Sequence, residues 1–142
     1  MASTPFVRLH VHSEYSILDG ACRIPALAAG AAEFGMPAVG LTDHGSLAGA
    51  VELYTETKKH GIKPLIGCEV YVADDRRAQA KGYAHLTLIA RDNTGYSNLI
   101  KLSSLGYLEP PWRPSLCRNR AVPVVRQSRR RKLEAAWTWR VS

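Results

Sequence analysis

His10-Val11-His12, Asp19, Thr42-Asp43-His44 and Glu69 fall within a span of about sixty residues. Together they offer the nitrogen and oxygen donors of a multinuclear metal site, and sites of that composition hydrolyse phosphate esters. In an extended strand residues i and i+2 face the same side, so His10 and His12 can offer imidazoles to one ion or to neighbouring ions. Histidine mixed with carboxylate suits Zn, Mn or Fe better than Ca or Mg, which prefer all-oxygen shells. A bridging carboxylate, Glu69 or Asp19, could hold two ions about 3.5–4 Å apart, an arrangement that acidifies a bound water and neutralises a phosphate during in-line attack.

Each feature also has an ordinary reading. An H-x-H pair occurs without a metal, and Asp43-His44-Gly45 could be a helix-capping turn. Glu69 lies among apolar neighbours and needs a partner, for which an ion pair serves as well as a metal. His85 alone fits a hydrogen-bonded core histidine. His60, near a predicted helix C-terminus, places a favourable charge at the negative end of the dipole. Cys22 and Cys68 read as small buried residues. The combination at strand ends is what favours the metal reading over its parts.

The elements that must position these residues alternate between strand and helix. Residues 6–12 alternate apolar and polar side chains, which predicts a strand. Residues 24–34 are Ala-rich, with Pro25 in the first turn and Gly35 just past the end, the start and stop signals of a helix. Residues 38–41 form a short apolar strand, with Asp43-His44-Gly45 at its C-terminal end. Ser46 can cap a helix over 47–60 that Gly61 ends. Residues 63–73 are a strand rich in Ile, Val and Tyr, 74–82 a polar loop, and 83–90 another strand. A third helix spans 94–105, with Tyr96, Leu99, Ile100 and Leu102 as its apolar face. Strand–helix–strand order implies an α/β fold with parallel pairing and right-handed crossovers. Functional residues of such folds collect at the C-terminal strand ends. If residues 83–90 return antiparallel, His85 joins the same rim.

At 142 residues the chain suits one modest domain. It carries no apolar run near 18 residues and no basic-then-apolar leader, so neither a membrane span nor a secretory signal is expected. The three cysteines are widely spaced, which favours a reducing cytoplasm over a disulfide framework. The net charge of +7 is unevenly spread. Residues 1–109 hold 10 Lys/Arg against 11 Asp/Glu, whereas residues 110–142 hold 9 against one. All three Trp and half of the Pro also lie in that second segment.

Several stretches carry a resemblance: residues 6–20 with His10-Val11-His12 and Asp19-Gly20, residues 35–45 with Thr42-Asp43-His44-Gly45, and residues 61–71 with Gly67-Cys68-Glu69. Residues 85–90, opening on His85, and residues 98–104, Asn98 to Ser104, complete five motifs in order. They resemble the polymerase-and-histidinol-phosphatase (PHP) domain, in particular as it stands at the N-terminus of the alpha subunits of bacterial DNA polymerase III. The resemblance covers residues 5–109. It implies the N-terminal part of a distorted (β/α)7 barrel with up to three divalent ions, Zn or Mn. Carried onto matching positions, His10, His12, Asp19, His44, Glu69 and His85 would be metal ligands. Asp19 and Asp43 would be the catalytic carboxylates, Asp19 helping to hold an ion and Asp43 orienting His44. In some polymerases of this family the domain is a metal-dependent 3′–5′ exonuclease; in others it has lost ligands and supports the polymerase. This sequence keeps the family positions that fall within its length, which points to descent from the active type.

The resemblance also sets limits. The family's later metal positions, a cysteine and an Asp-x-His among them, lie beyond the matching stretch, and Cys117 stands in unrelated context. The polymerase carboxylates are absent, so nucleotide addition is not expected. About 105 matching residues supply four strands, whereas a full barrel needs about 250 residues. Half a barrel leaves a sheet edge unpaired and favours aggregation. The expectation is therefore a fragment of a replicative polymerase alpha subunit, cytoplasmic, partnered in its parent by DNA and other replicase subunits, with little activity alone. Residues 110–142 are expected to be an out-of-frame or disordered tail. Two alternatives stay open. One is a free-standing PHP phosphatase acting on a small phosphomonoester. The other is a non-enzymatic nucleic-acid-binding protein that uses Arg129-Arg130-Arg131-Lys132, Trp137 and Trp139 of the tail.

Overall fold

The computed structural model describes residues 6–17, 19–73, 84–108 and 115–117, the last through their backbone. Seven elements follow in the order α1 (Ile24–Glu33), β1 (Ala38–Leu41), α2 (Ala50–Lys59), β2 (Lys63–Ala73), β3 (Ala84–Ile89), α3 (Asn93–Leu108) and β4 (Ser115–Cys117). β1 pairs parallel with β2, from Ala38 opposite Lys63 to Leu41 opposite Ile66. β3 pairs antiparallel with β2, and Tyr71 stands opposite His85. β4 runs parallel to the end of β2. The mixed α/β reading holds, as does the antiparallel return that carries His85 to the strand-end rim.

Local chemistry explains the helices. α1 has Pro25 in its first turn and buries Ile24, Ala28 and Ala31, a helical i, i+4, i+7 stripe. α1 and α2 are followed by Gly35 and Gly61, whose φ values of 65° and 68° let the chain turn left-handed where a side chain would be strained. α2 begins at Ala50, later than the expected residue 47. The Ser46 hydroxyl accepts from the Ala48 N–H at 3.1 Å, so it caps the turn before the helix rather than the helix itself. α3 starts where the Asp92 carboxylate accepts from the Gly95 N–H at 2.9 Å. It buries Gly95, Asn98, Leu99, Leu102 and Gly106. Ile100, expected on that face, is exposed, and Tyr96 is only half-buried. The buried stripe is set by two glycines that admit close packing, a feature that apolarity alone does not reveal.

Two apolar clusters hold the layers. Ile24, Ala31, Val39, Leu41, Leu53 and Ile62 join α1 and α2 to β1. Cys68, Val70, Leu88, Leu99 and Leu102 join α3 to β2 and β3. Cys68 is buried as expected, while Cys22 is only half-buried.

Residues 6–12 depart from the expected strand. They run beside β1, but only Arg8 forms a ladder pair, parallel with Val39. The Gly40 N–H donates to the Arg8 carbonyl at 2.7 Å and the Thr42 N–H to the Val11 carbonyl at 2.9 Å. Two residues of β1 thus face three on the other side. That extra residue is a bulge, which breaks the ladder and re-aims the side chains within it, His10 among them. The expectation of a disordered or out-of-frame segment over 110–142 lies outside the described residues except at 115–117, whose backbone pairs with β2.

Candidate metal centre

β1 and β2 continue in step past the end of β1. The Glu69 N–H donates to the Asp43 carbonyl at 3.0 Å, and the Gly45 N–H donates to the Glu69 carbonyl at 2.8 Å. His44 therefore stands opposite Glu69 as a parallel bridge pair. Residues 13–17 and 19–20 fold back on the chain, with the Ser16 N–H donating to the Ser13 carbonyl and the Gly20 N–H to the Ser16 carbonyl. This brings Asp19 over the same rim.

The side chains converge on two carboxylates. Glu69 Oε2 lies 3.1 Å from His10 Nε2 and 3.0 Å from His12 Nε2. Glu69 Oε1 contacts His85 Nδ1 and lies 3.8 Å from His44 Nδ1. Asp19 Oδ2 sits between His44 Nε2 at 2.7 Å and His12 Nδ1 at 3.2 Å. Three groups result: His10, His12 and Glu69; His12, Asp19 and His44; His44, Glu69 and His85. In each, the donor atoms lie within 4.8 Å of one another. Glu69 is only 4 % exposed. Burial opposes its ionisation, but the imidazoles of His12 and His85 against its oxygens, with His44 and His10 nearby, hold its carboxyl below the usual carboxylate range.

The donor set fits divalent metal ions. Imidazole nitrogens and two carboxylates arranged in overlapping triads are a donor set that divalent transition metals accept. All six residues expected as ligands are thus brought together. Asp43 is placed differently from its expected role of orienting His44. It is 2 % exposed, and its two oxygens accept from the Ser13 N–H at 2.6 Å and the Ser13 hydroxyl at 2.8 Å. Its carboxylate anchors the turn that carries Asp19, because the backbone pairing with Glu69 directs the side chain away from the imidazoles. The His44 peptide is held instead by Ser16, whose hydroxyl accepts from its N–H at 2.9 Å.

The sequence reading passed over Tyr71. Its ring stacks on that of His44 at a centroid distance of 5.7 Å, and its hydroxyl lies 3.4 Å from His44 Nδ1. The signal was available: Tyr71 is two residues beyond Glu69 in the same strand and so shares its face.

The profile of the PHP domain matches residues 8–134, past the boundary at 109 read from the sequence. The DNA polymerase III subunit alpha of Helicobacter pylori (strain ATCC 700392 / 26695) is 49% identical over 107 residues, covering 73% of this chain and 9% of that protein. That of Saccharopolyspora erythraea is 43% identical over 138 residues, covering 80% of this chain and 12% of that protein. The chain therefore spans about a tenth of the length of these relatives. A solved structure assigned as a metal-dependent phosphoesterase from Bifidobacterium adolescentis superposes with a TM-score of 0.54 at 20% identity, over 72% of this chain and 33% of that one, a likeness of fold. With the profile running through most of the chain and His10, His12, Asp19, His44, Glu69 and His85 gathered in one cluster, this chain belongs to the PHP domain family.

Proposed function

We propose that this chain is the N-terminal PHP segment of a replicative DNA polymerase III alpha subunit, and that its strand-end cluster serves metal-dependent hydrolysis of phosphodiesters at DNA 3′ ends. The observation that carries this reading is Glu69, one buried carboxylate with a histidine pair at each oxygen. The relatives named as DNA polymerase III subunit alpha support this reading; under it, the whole protein would work with DNA and other replicase subunits in the cytoplasm. Among the described residues no helix is long and apolar enough to cross a membrane.

A neutral imidazole has one lone pair, so His12 and His44 can each serve only one of the two groups they share. Using each imidazole once fills the first group with His10, His12 and Glu69, and the third with His44, Glu69 and His85. Asp19 is then left to accept from His12 Nδ1–H and His44 Nε2–H, orienting both rings. This arrangement takes two ions, Zn or Mn, whereas the complete domain of the family takes up to three. When bound, such a pair acidifies a water and neutralises phosphate charge. The chain's own residues hold the imidazole tautomers, and the exposed faces of His10 and His85 leave the rim open to substrate.

Equilibrium dialysis with Zn and with Mn tests the reading: about two ions per chain are expected, falling in His10→Ala, and a wild-type chain that takes up neither metal would refute it. The metal-loaded chain is then offered 3′-labelled single-stranded DNA beside a phosphomonoester. Little turnover is expected from this segment alone. Preference for the monoester would favour a small-molecule phosphatase. Salt-sensitive DNA binding that survives a chelator and vanishes on deleting 110–142 would favour the basic segment. The division into a PHP segment, 1–109, and a basic segment read in another frame, 110–142, is part of this proposal. The profile match through residue 134 counts against a frame change, and resequencing across codon 109 decides it.

A further inference from the structure

We infer that Thr42 is a positioning residue for the metal centre: its buried hydroxyl accepts a hydrogen bond from His10 Nδ1–H and thereby presents Nε2 of His10 as the donor to the ion shared with Glu69. The inference rests on the metal reading above. Thr42 is 0 % exposed and follows directly on β1. Its Oγ1 lies 2.8 Å from His10 Nδ1, the shortest of its polar contacts. The same oxygen accepts from the Val11 N–H at 3.2 Å and lies 3.3 Å from the Val11 carbonyl. A hydroxyl carries one proton and two lone pairs. The Val11 N–H takes one lone pair. With the hydroxyl proton turned to the Val11 carbonyl, the second lone pair faces His10 Nδ1, which must then carry hydrogen. Nε2, 3.1 Å from Glu69 Oε2, is in that tautomer the free lone pair.

The threonine is held in this orientation by its other branch. Gly67 lies against the Thr42 methyl so closely that a Cβ at Gly67 would stand 2.7 Å from Cγ2. The methyl occupies the space that this glycine leaves, and β-branching then keeps the hydroxyl on the side of His10. Thr87, whose hydroxyl is 3.5 Å from the same nitrogen, is exposed and too distant to substitute for it. Other partners of the centre's imidazoles include the Glu69 and Asp19 carboxylates and the Tyr71 hydroxyl, which stands 3.4 Å from His44 Nδ1, farther than Thr42 stands from His10.

The test compares Thr42→Val, which keeps the shape and removes the hydroxyl, with Thr42→Ser, which keeps the hydroxyl, using zinc titration of the full chain and two-bond 15N–1H spectra of His10 in the zinc-loaded state. Zinc affinity should fall about 10–100-fold in T42V, the usual cost of losing such a partner, and recover in T42S. The spectrum should show hydrogen on Nδ1 of wild-type His10. In a His10→Ala background T42V should cost nothing further, whereas a general packing defect would still lower affinity there. Wild-type zinc binding that T42V leaves intact, a cost that persists without His10, or a wild-type His10 coordinated through Nδ1 each overturns the role of Thr42 alone. A wild-type chain that takes up neither zinc nor manganese overturns the metal reading and this one with it, whereas uptake of manganese alone overturns the zinc-site role given to Thr42.

Discussion

Glu69 and Asp43, two buried carboxylates joined through a backbone hydrogen bond, do different work. Glu69 faces imidazoles on both oxygens, while Asp43, its backbone hydrogen-bonding neighbour, faces only Ser13. Replacing Asp43 by Ala would leave the buried Ser13 N–H and hydroxyl without acceptor. A loss of about 2–3 kcal/mol is expected, read as a lower urea midpoint; an unchanged midpoint would contradict the anchoring role. Cys68 gives a pH prediction. Burial pushes its thiol up to about 12, so the folded chain strongly favours the neutral form. An unfolded thiol ionises first, so this stabilisation is complete below the ordinary thiol value of 9.0 and is lost as pH rises toward 12. Stability measured by denaturant titration should therefore decline in that window, and the decline should be smaller in Cys68→Ala. At mildly alkaline pH an alkylating reagent should modify half-buried Cys22 well before Cys68.

At the scale of elements, the site depends on how closely residues 8–12 lie against β1. A Cβ on Gly40 would stand 2.4 Å from the Leu9 carbonyl oxygen, a backbone atom that cannot rotate aside. Gly40→Ala must therefore push the His10–His12 segment away from β1. A destabilisation of about 1–3 kcal/mol is expected from overpacking. Zinc affinity should fall with it, because His10 and His12 reach Glu69 only from that distance. A G40A chain with wild-type stability and metal uptake would show that the segment is held by other contacts. The bulge belongs to this scale too. Alternation of side chains is visible in residues 6–12, but the extra residue between the Arg8 and Val11 hydrogen bonds depends on the register against β1.

For the molecule as a whole, the four strands leave much surface open. Among the described residues β3 pairs only with β2, and a sheet edge without a strand partner is a template for further pairing. Phe34, Val51, Tyr54 and Leu108 are exposed apolar side chains, and Val51, Tyr54 and Tyr96 border an open groove between α2 and α3. Self-association is the expected consequence. Sedimentation velocity on the purified chain should find concentration-dependent larger species, and a single monomer across the range would exclude it.

The grouping of His10, His12, Asp19, His44, Glu69 and His85 was legible because their types, their order along alternating elements and the family motifs they carry are properties of the sequence itself. So were the helix stops at Gly35 and Gly61, where local backbone geometry demands a residue without a side chain. The partition of roles among those residues was not legible. That Glu69 stands between two histidine pairs, that Asp19 bridges His12 and His44, and that Asp43 turns to Ser13 depends on contacts between segments far apart in the chain. Thr42 and Tyr71 stand beside motif residues in the sequence, but their hydroxyls gain meaning only from the imidazoles set beside them. Residue type and local propensity therefore determined which groups could do chemistry, while strand register and the close approach at Gly40 and Gly67 decided which group each one faces, since a hydrogen bond or a metal contact is a matter of a few tenths of an ångström that only the packed chain sets.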